Sequence, residues 1–131
     1  MKFFLLTLGW YNFLGSLLMI GFFNEAFGRK ILNEWTKIFR EEFTLSYWSR
    51  LWLFWAIGLN IFFGLINILA VSWNYPELLR FLVISDLVAY GCFFLLTVRA
   101  YLLKDLDVGG YAVFVIFAGW LIWGVSTLFV G

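Results

Sequence analysis

Four apolar runs, residues 3–23, 51–72, 78–103 and 111–130, occupy most of this chain, and only the third contains charged side chains, Arg80, Asp86 and Arg99. A helix crossing about 30 Å of hydrocarbon needs about 20 apolar residues, whereas a helix on the surface of a soluble domain interleaves a polar face with its apolar one. Runs that are apolar all round are built for lipid. Composition points the same way, with 64% apolar residues, 13% charged residues and a mean hydropathy of +0.94, too oily for a water-soluble domain. Because lipid offers no partner to a backbone N–H or C=O, the runs must be helices that satisfy their own hydrogen bonds. At 131 residues, four spans and short connections use up the chain. The expectation is an all-α, integral membrane, up-and-down four-helix bundle in one domain, with no separate extramembrane unit.

The first run could be taken for a signal peptide, since Lys2 precedes it and Ala26 and Gly28 follow. Signal-peptide cores are usually about 7 to 15 residues. This run is longer, so it is expected to stay as the first span.

Residues 25–44 differ in character and hold much of the charge. Ile31, Leu32, Trp35, Ile38 and Phe39 fall at helical spacing on one side, with Lys30, Glu34, Lys37 and Glu41 opposite them. That pattern predicts an amphipathic helix lying in the headgroup layer between spans one and two. Asn24 would be its N-cap, Trp35 its interfacial anchor, and Lys30/Glu34 and Lys37/Glu41 its i, i+4 pairs. The helix serves either as a docking surface or as a connector floating on the membrane.

Span two is entered by Tyr47, Trp48, Trp52 and Trp55 and left by Trp73 and Tyr75, aromatic residues that prefer the two headgroup levels. The turn at Asn74-Tyr75-Pro76-Glu77 puts Pro76 in the first turn of the next helix and Glu77 at its positive end, which predicts antiparallel, adjacent spans two and three. Arg99 near the end of span three can extend its guanidinium to the headgroups as an anchor, and Glu77 and Arg80 are expected to pair at the other end. Gly119-Trp120 and Trp123-Gly124 suit helix packing or an oligomer seam.

Lys and Arg collect on one side. Arg29, Lys30, Lys37, Arg40, Arg50, Arg99 and Lys104 flank the first and third connections, against Lys2 and Arg80 on the other face. The positive-inside tendency then places those connections in the cytoplasm and both termini opposite, in a membrane expected to be a bacterial cytoplasmic one.

Absences narrow the function. A net charge of +1 creates no field that would attract nucleic acid. Without histidine, the chain has no imidazole for haem, zinc or general-base work, so no cofactor is expected, although a bound lipid is compatible with it. Its single cysteine, Cys92, has no internal disulfide partner and sits in an apolar run as a small hydrophobe.

What remains is polarity at membrane depth. At about 1.5 Å per residue, Asn12 lies about 14 Å below the terminal-side surface, Asp86 about 12 Å, Asn67 about 8 Å and Asn60 about 18 Å. A carboxylate facing lipid is penalised by about 2.5 to 3.5 kcal/mol or more, so these groups are expected to turn inward and meet. Asn60, Gly64 and Asn67 share one face of span two, as Asp86 and Tyr90 share one face of span three. Structurally, the amides would act as interhelical glue, with Gly15 and Gly64 allowing close approach. Functionally, Asp86 would bind a cation, a proton or an amine, with Asn12, Asn60, Asn67, Tyr11 and Tyr90 completing a pocket.

Three functions follow, in this order. The first is a non-catalytic subunit or scaffold, packing with itself or with a larger membrane complex. The second is a small transporter or ligand-binding bundle using Asp86, and the third is a lipid-modifying enzyme using Asp86 or the Glu41/Glu42 pair. Membrane lipids are partners in every case.

Overall fold

Capping chemistry sets the helix boundaries. The computed structural model describes the backbone of residues 1–35, 42–103 and 108–130, and every regular element among them is helical. Helix α1 is Lys2–Gly21, α2 is Glu25–Arg29 followed by a π-helical turn at Lys30–Trp35, α3 is Tyr47–Trp73, α4 is Pro76–Leu102 and α5 is Val108–Val130. Three helices, α1, α3 and α4, are long and apolar enough to cross a membrane, while the apolar stretch described for α5, Phe114–Val130, is shorter.

Asn24 caps α2 by accepting from the Phe27 N–H at 3.2 Å, and Ser46 and Ser49 form a reciprocal capping box at the start of α3. Each cap satisfies a backbone donor that the helix itself leaves unpaired. Helix α3 ends where Asn74 turns left-handed at φ 57°, a conformation that asparagine tolerates better than most residues. Pro76 then starts α4 with Glu77 in its first turn, as the sequence predicts.

The helices pack as two close pairs, α1 with α3 and α4 with α5. Within a bilayer, surrounding lipid removes most of the hydrophobic drive for helices to associate, so close pairing depends on dispersion between surfaces that fit. Gly9 and Gly64 provide that fit where α1 crosses α3. A Cβ on either would stand 2.9 Å from the carbonyl oxygen of the other. Gly15, expected to share this role, has open space where its side chain would be.

The two pairs join at one end. Phe4, Leu5 and Leu8 of α1, Ala70 of α3, and Leu79, Leu82 and Val83 of α4 form the buried core. Trp120 and Trp123 of α5 stack at 5.5 Å and both meet the Phe4 ring edge-on. Gly124 makes room for this contact, since a Cβ there would collide with Leu87 and Phe4; Gly119 faces open space.

Spans two and three are therefore not neighbours along their length. Helices α3 and α4 meet between the Asn74 turn and the Asn67–Asp86 level, and beyond it a pocket lies between them. A tight turn fixes the proximity of two helix ends and leaves their divergence to side-chain packing.

The connection after α1 also differs from the expected helix over 25–44. Helix α2 is only 5 residues long and passes into the π-helical turn, while residues 42–46 are not helical. Residues 36–41, and with them Ile38, Phe39 and the Lys37/Glu41 pair, lie outside the described residues. The non-helical strand of chain gets its partners from the helical turn. Arg29 Nε donates to the Phe43 carbonyl at 2.9 Å, the Phe43 N–H to Asn33 Oδ1 at 2.9 Å, and the Leu45 N–H to Glu25 Oε2 at 3.0 Å. Arg29 also pairs with Glu25 at 2.6 Å and Glu42 at 2.9 Å. Lys30 does not reach Glu34 in an ion pair; its ammonium lies 5.7 Å from the Trp35 ring centroid.

Candidate ligand-binding site

Asp86 projects from α4 and Asn67 from α3, at the level where these helices begin to part. Both are buried, with relative exposures of 2% and 0%, and Asn67 Nδ2 donates to Asp86 Oδ2 at 2.7 Å. An amide N–H is a neutral donor that a buried carboxylate can use without a second charge being buried beside it. The Asn67 Oδ1 atom is left buried without a hydrogen-bond partner. Such an atom costs about 1 to 3 kcal/mol when nothing fills its lone pairs.

One helical turn further along α4, the Tyr90 hydroxyl donates to Asn12 Oδ1 of α1. This bond ties the α1/α3 pair to α4 above the Asn67–Asp86 bond. Asn60 does not join either pair: its Nδ2 donates to the Ala56 carbonyl at 2.8 Å and lies 3.9 Å from the Met19 sulfur. Ser16, which is buried, bonds back to the Phe13 carbonyl at 2.6 Å. Tyr11 sits on the α5 side, with its ring 5.4 Å from that of Trp120.

Two pockets flank the Tyr90–Asn12 bridge. The larger, about 520 Å³, lies between the α1/α3 pair and α4, with Asp86 and Asn12 in its lining and Trp55, Leu59, Phe63 and Phe93 as walls. The second, about 400 Å³, is bounded by α1, α4, α5 and the π-helical turn, through Tyr11, Gly15, Phe117, Ile31 and Leu32. Met19, Asn12, Asn60, Tyr90 and Phe93 line both. A cleft of this volume with mostly apolar walls and a few polar groups is the usual form of a small-molecule site. Among the described residues, Asp86 is the one acid or base of full charge in either lining, and no described Lys or Arg faces it there.

Of the residues picked out in the sequence, Asp86, Asn67, Asn12 and Tyr90 are brought together in two bonds, Asn60 shares the pocket without a bond to them, and Tyr11 belongs to the second pocket. Trp35, the last residue of the π-helical turn, and Arg99, in the last turn of α4, are exposed and line neither pocket. Glu77 and Arg80 form no ion pair with each other among the described residues. Glu42 is held by Arg29, and Glu41 lies outside the described residues.

Reading the sequence for polar residues missed the walls. Trp52, Ala56, Leu59 and Phe63 recur at helical spacing on the Asn60/Asn67 face of α3, so a search for everything sharing that face would have found them. The open space beside Gly15 had no such signal.

The polar groups at the site are one carboxylate, three amides and a phenol. They can hold a cation or a ligand head rich in hydrogen-bond donors, and no group of three His, Cys, Asp or Glu side chains suited to a metal ion occurs among the described residues. Comparison with known proteins returned no matching family model, no matching curated sequence and no matching solved structure.

Proposed function

We propose that the chain forms a four-span bundle in a membrane and acts by binding instead of bond-making, with the pocket beside Asp86 as its ligand site. Three apolar helices of spanning length support the membrane reading. The uncharged run of α5 and its seating on Phe4 support counting it as the fourth span. Met1, Val71, Leu79 and Leu128 gather at one end of the bundle. The termini and the α3–α4 turn thus share a face, and the Lys/Arg bias assigns that face to the side away from the cytoplasm.

The observation that carries the binding reading is a buried carboxylate facing a lateral pocket with no counter-cation among the described residues of the lining. Acid–base or nucleophilic catalysis needs a second group of matched reactivity beside it, and the groups nearby are amides and a phenol. The test is native mass spectrometry after extraction in mild detergent. Wild type should retain a small non-protein adduct that Asp86→Asn loses; a bare wild type, or an adduct retained equally by the variant, refutes the reading.

A second reading, a subunit that packs against another copy of itself or within a larger membrane complex, is favoured by the outer face of α3. Leu51, Phe54, Trp55, Gly58 and Leu59 line a groove of about 510 Å³ there, with open space at Gly58. Glycine in a groove lets a second helix approach closely. A Gly58→Cys, Cys92→Ser chain that forms a disulfide dimer in membranes supports this reading, and one that stays monomeric under oxidation excludes self-association through this face.

A further inference from the structure

The larger pocket is lined by a buried carboxylate with no cation among the described residues beside it, and that charge identifies a ligand class. We infer that the site takes a single-chain amphiphile with a primary ammonium head, bound to Asp86 with its alkyl chain along the aromatic wall; this rests on the pocket being a ligand site.

Hydrogen-bond balance is the first argument. Asp86 Oδ2 accepts one bond from Asn67, and Asp86 Oδ1 and Asn60 Oδ1 accept none from described residues. Asp86 Oδ1 is thus a charged acceptor left without a donor in a lining that holds no described cation. A primary ammonium brings both the opposite charge and N–H donors to that oxygen. A hydroxyl head supplies one donor, and a carboxylate head would add acceptors and a like charge.

Charge and depth add to this. Asp86 is ten residues after Pro76, about 15 Å along the helix at 1.5 Å per residue, so a head reaching it leaves the headgroup layer. A bulky phosphodiester would have to be desolvated at that depth, whereas an ammonium is compact and meets the opposite charge already buried there. The walls suit both parts of such a molecule. Trp52, Trp55, Phe63 and Phe93 present ring faces and edges to an alkyl chain, and Tyr90 lies beside the carboxylate end, where a ring can also attract a cation. Trp52, Trp55, Leu59 and Phe93 are all exposed at the rim, so the mouth opens on the side that lipid covers. The ligand enters from the bilayer, either as a free long-chain amine or as a membrane lipid with an amine head on one chain.

The experiment uses the full chain in lipid nanodiscs and equilibrium dialysis with labelled dodecylamine, dodecyltrimethylammonium, dodecanol and dodecanoate, subtracting protein-free nanodiscs. Dodecylamine should bind saturably and lose about ten- to hundredfold in affinity in Asp86→Asn, the loss expected for a charge-assisted hydrogen bond. Dodecyltrimethylammonium, which has the charge without N–H groups, should bind more weakly than the amine. Ala89→Phe, which fills the pocket and leaves Asp86 in place, should block every probe. Dodecanol or dodecanoate binding as tightly as the amine, and sensitive to Ala89→Phe, would overturn the ammonium assignment and leave the pocket reading standing. Binding of no probe, or binding indifferent to Ala89→Phe, would overturn both. A co-purified single-chain membrane lipid with a free amine head and no phosphodiester that competes with dodecylamine would identify a lipid as the source, and competition by free long-chain amines alone would identify the other.

Discussion

Adding one methyl group to Gly64 should destabilise the α1/α3 pair, while the same addition to Gly15 or Gly58 of these helices should not. A Cβ at Gly64 would lie 2.9 Å from the Gly9 carbonyl oxygen and 3.0 Å from the Phe13 backbone nitrogen. Both are main-chain atoms within helix α1, so neither can rotate out of the way. Ordinary contact begins near 3.4 Å, and the helices must separate locally by about half an ångström. A radial gap of 0.5–1 Å forfeits roughly a quarter to a half of each dispersion contact along the seam. Overpacking of this kind costs about 1 to 3 kcal/mol, against up to about 1 kcal/mol regained because alanine favours the helix over glycine. A net loss of about 1 to 2 kcal/mol is expected for Gly64→Ala. Gly15 in α1 and Gly58 in α3 have nothing within 4 Å of their would-be Cβ atoms. Gly15→Ala and Gly58→Ala should then be neutral or stabilising by up to about 1 kcal/mol. Titration of the detergent-solubilised protein with sodium dodecyl sulfate, followed by tryptophan fluorescence, compares the three on one scale. If Gly64→Ala resists unfolding as well as Gly58→Ala does, the glycine crossing is not what holds α1 to α3.

Two further outcomes test other parts of the structure. Cys92, the single cysteine of the chain, is exposed on α4 about 10 Å from Arg99 along the helix at 1.5 Å per residue. In intact membranes it should resist a water-soluble maleimide and react with a membrane-permeant, apolar one; equal labelling by both would place that face of α4 in water. Arg29→Ala should release residues 42–46, because the guanidinium joins Glu25, Glu42 and the Phe43 carbonyl. These pairs are more than a third exposed, so each contributes at most about 1 kcal/mol, and the main effect is local. Hydrogen exchange of the Phe43 and Leu45 amides should accelerate several-fold while the spanning helices keep their protection. Unchanged exchange at those amides would show that Arg29 does not hold the segment.

How much was legible in advance depends on how local the cause is. The helix starts at Glu25 and Pro76, and the Asn74 turn, rest on side chains acting on backbone groups within a few residues, and the sequence discloses such effects directly. Helix α3 instead begins at Tyr47, four residues before the expected start at residue 51, because the Ser46/Ser49 capping box starts it ahead of the apolar run. The burial of Asp86 was legible for a different reason. Lipid penalises an outward carboxylate strongly enough that one position in an apolar run must face protein whatever the topology. The Asn67–Asp86 and Asn12–Tyr90 bonds were expected only as a group, and their pairing depends on how the helices lean.

By itself, the sequence determined the helical class, the apolar spanning length of three helices, the Asn74 turn and the burial of Asn12, Asn67 and Asp86, because each follows from the free energy of placing a side chain or peptide group away from water. Only the tertiary structure decided that Gly9, not Gly15, meets Gly64, that α3 pairs with α1 and parts from α4, and that the gap becomes a pocket above Asp86. Surrounding lipid is as apolar as the helices themselves, so hydropathy cannot rank one helix face against another. Shape complementarity summed over many weak contacts makes that choice, and it exists only once the helices are side by side.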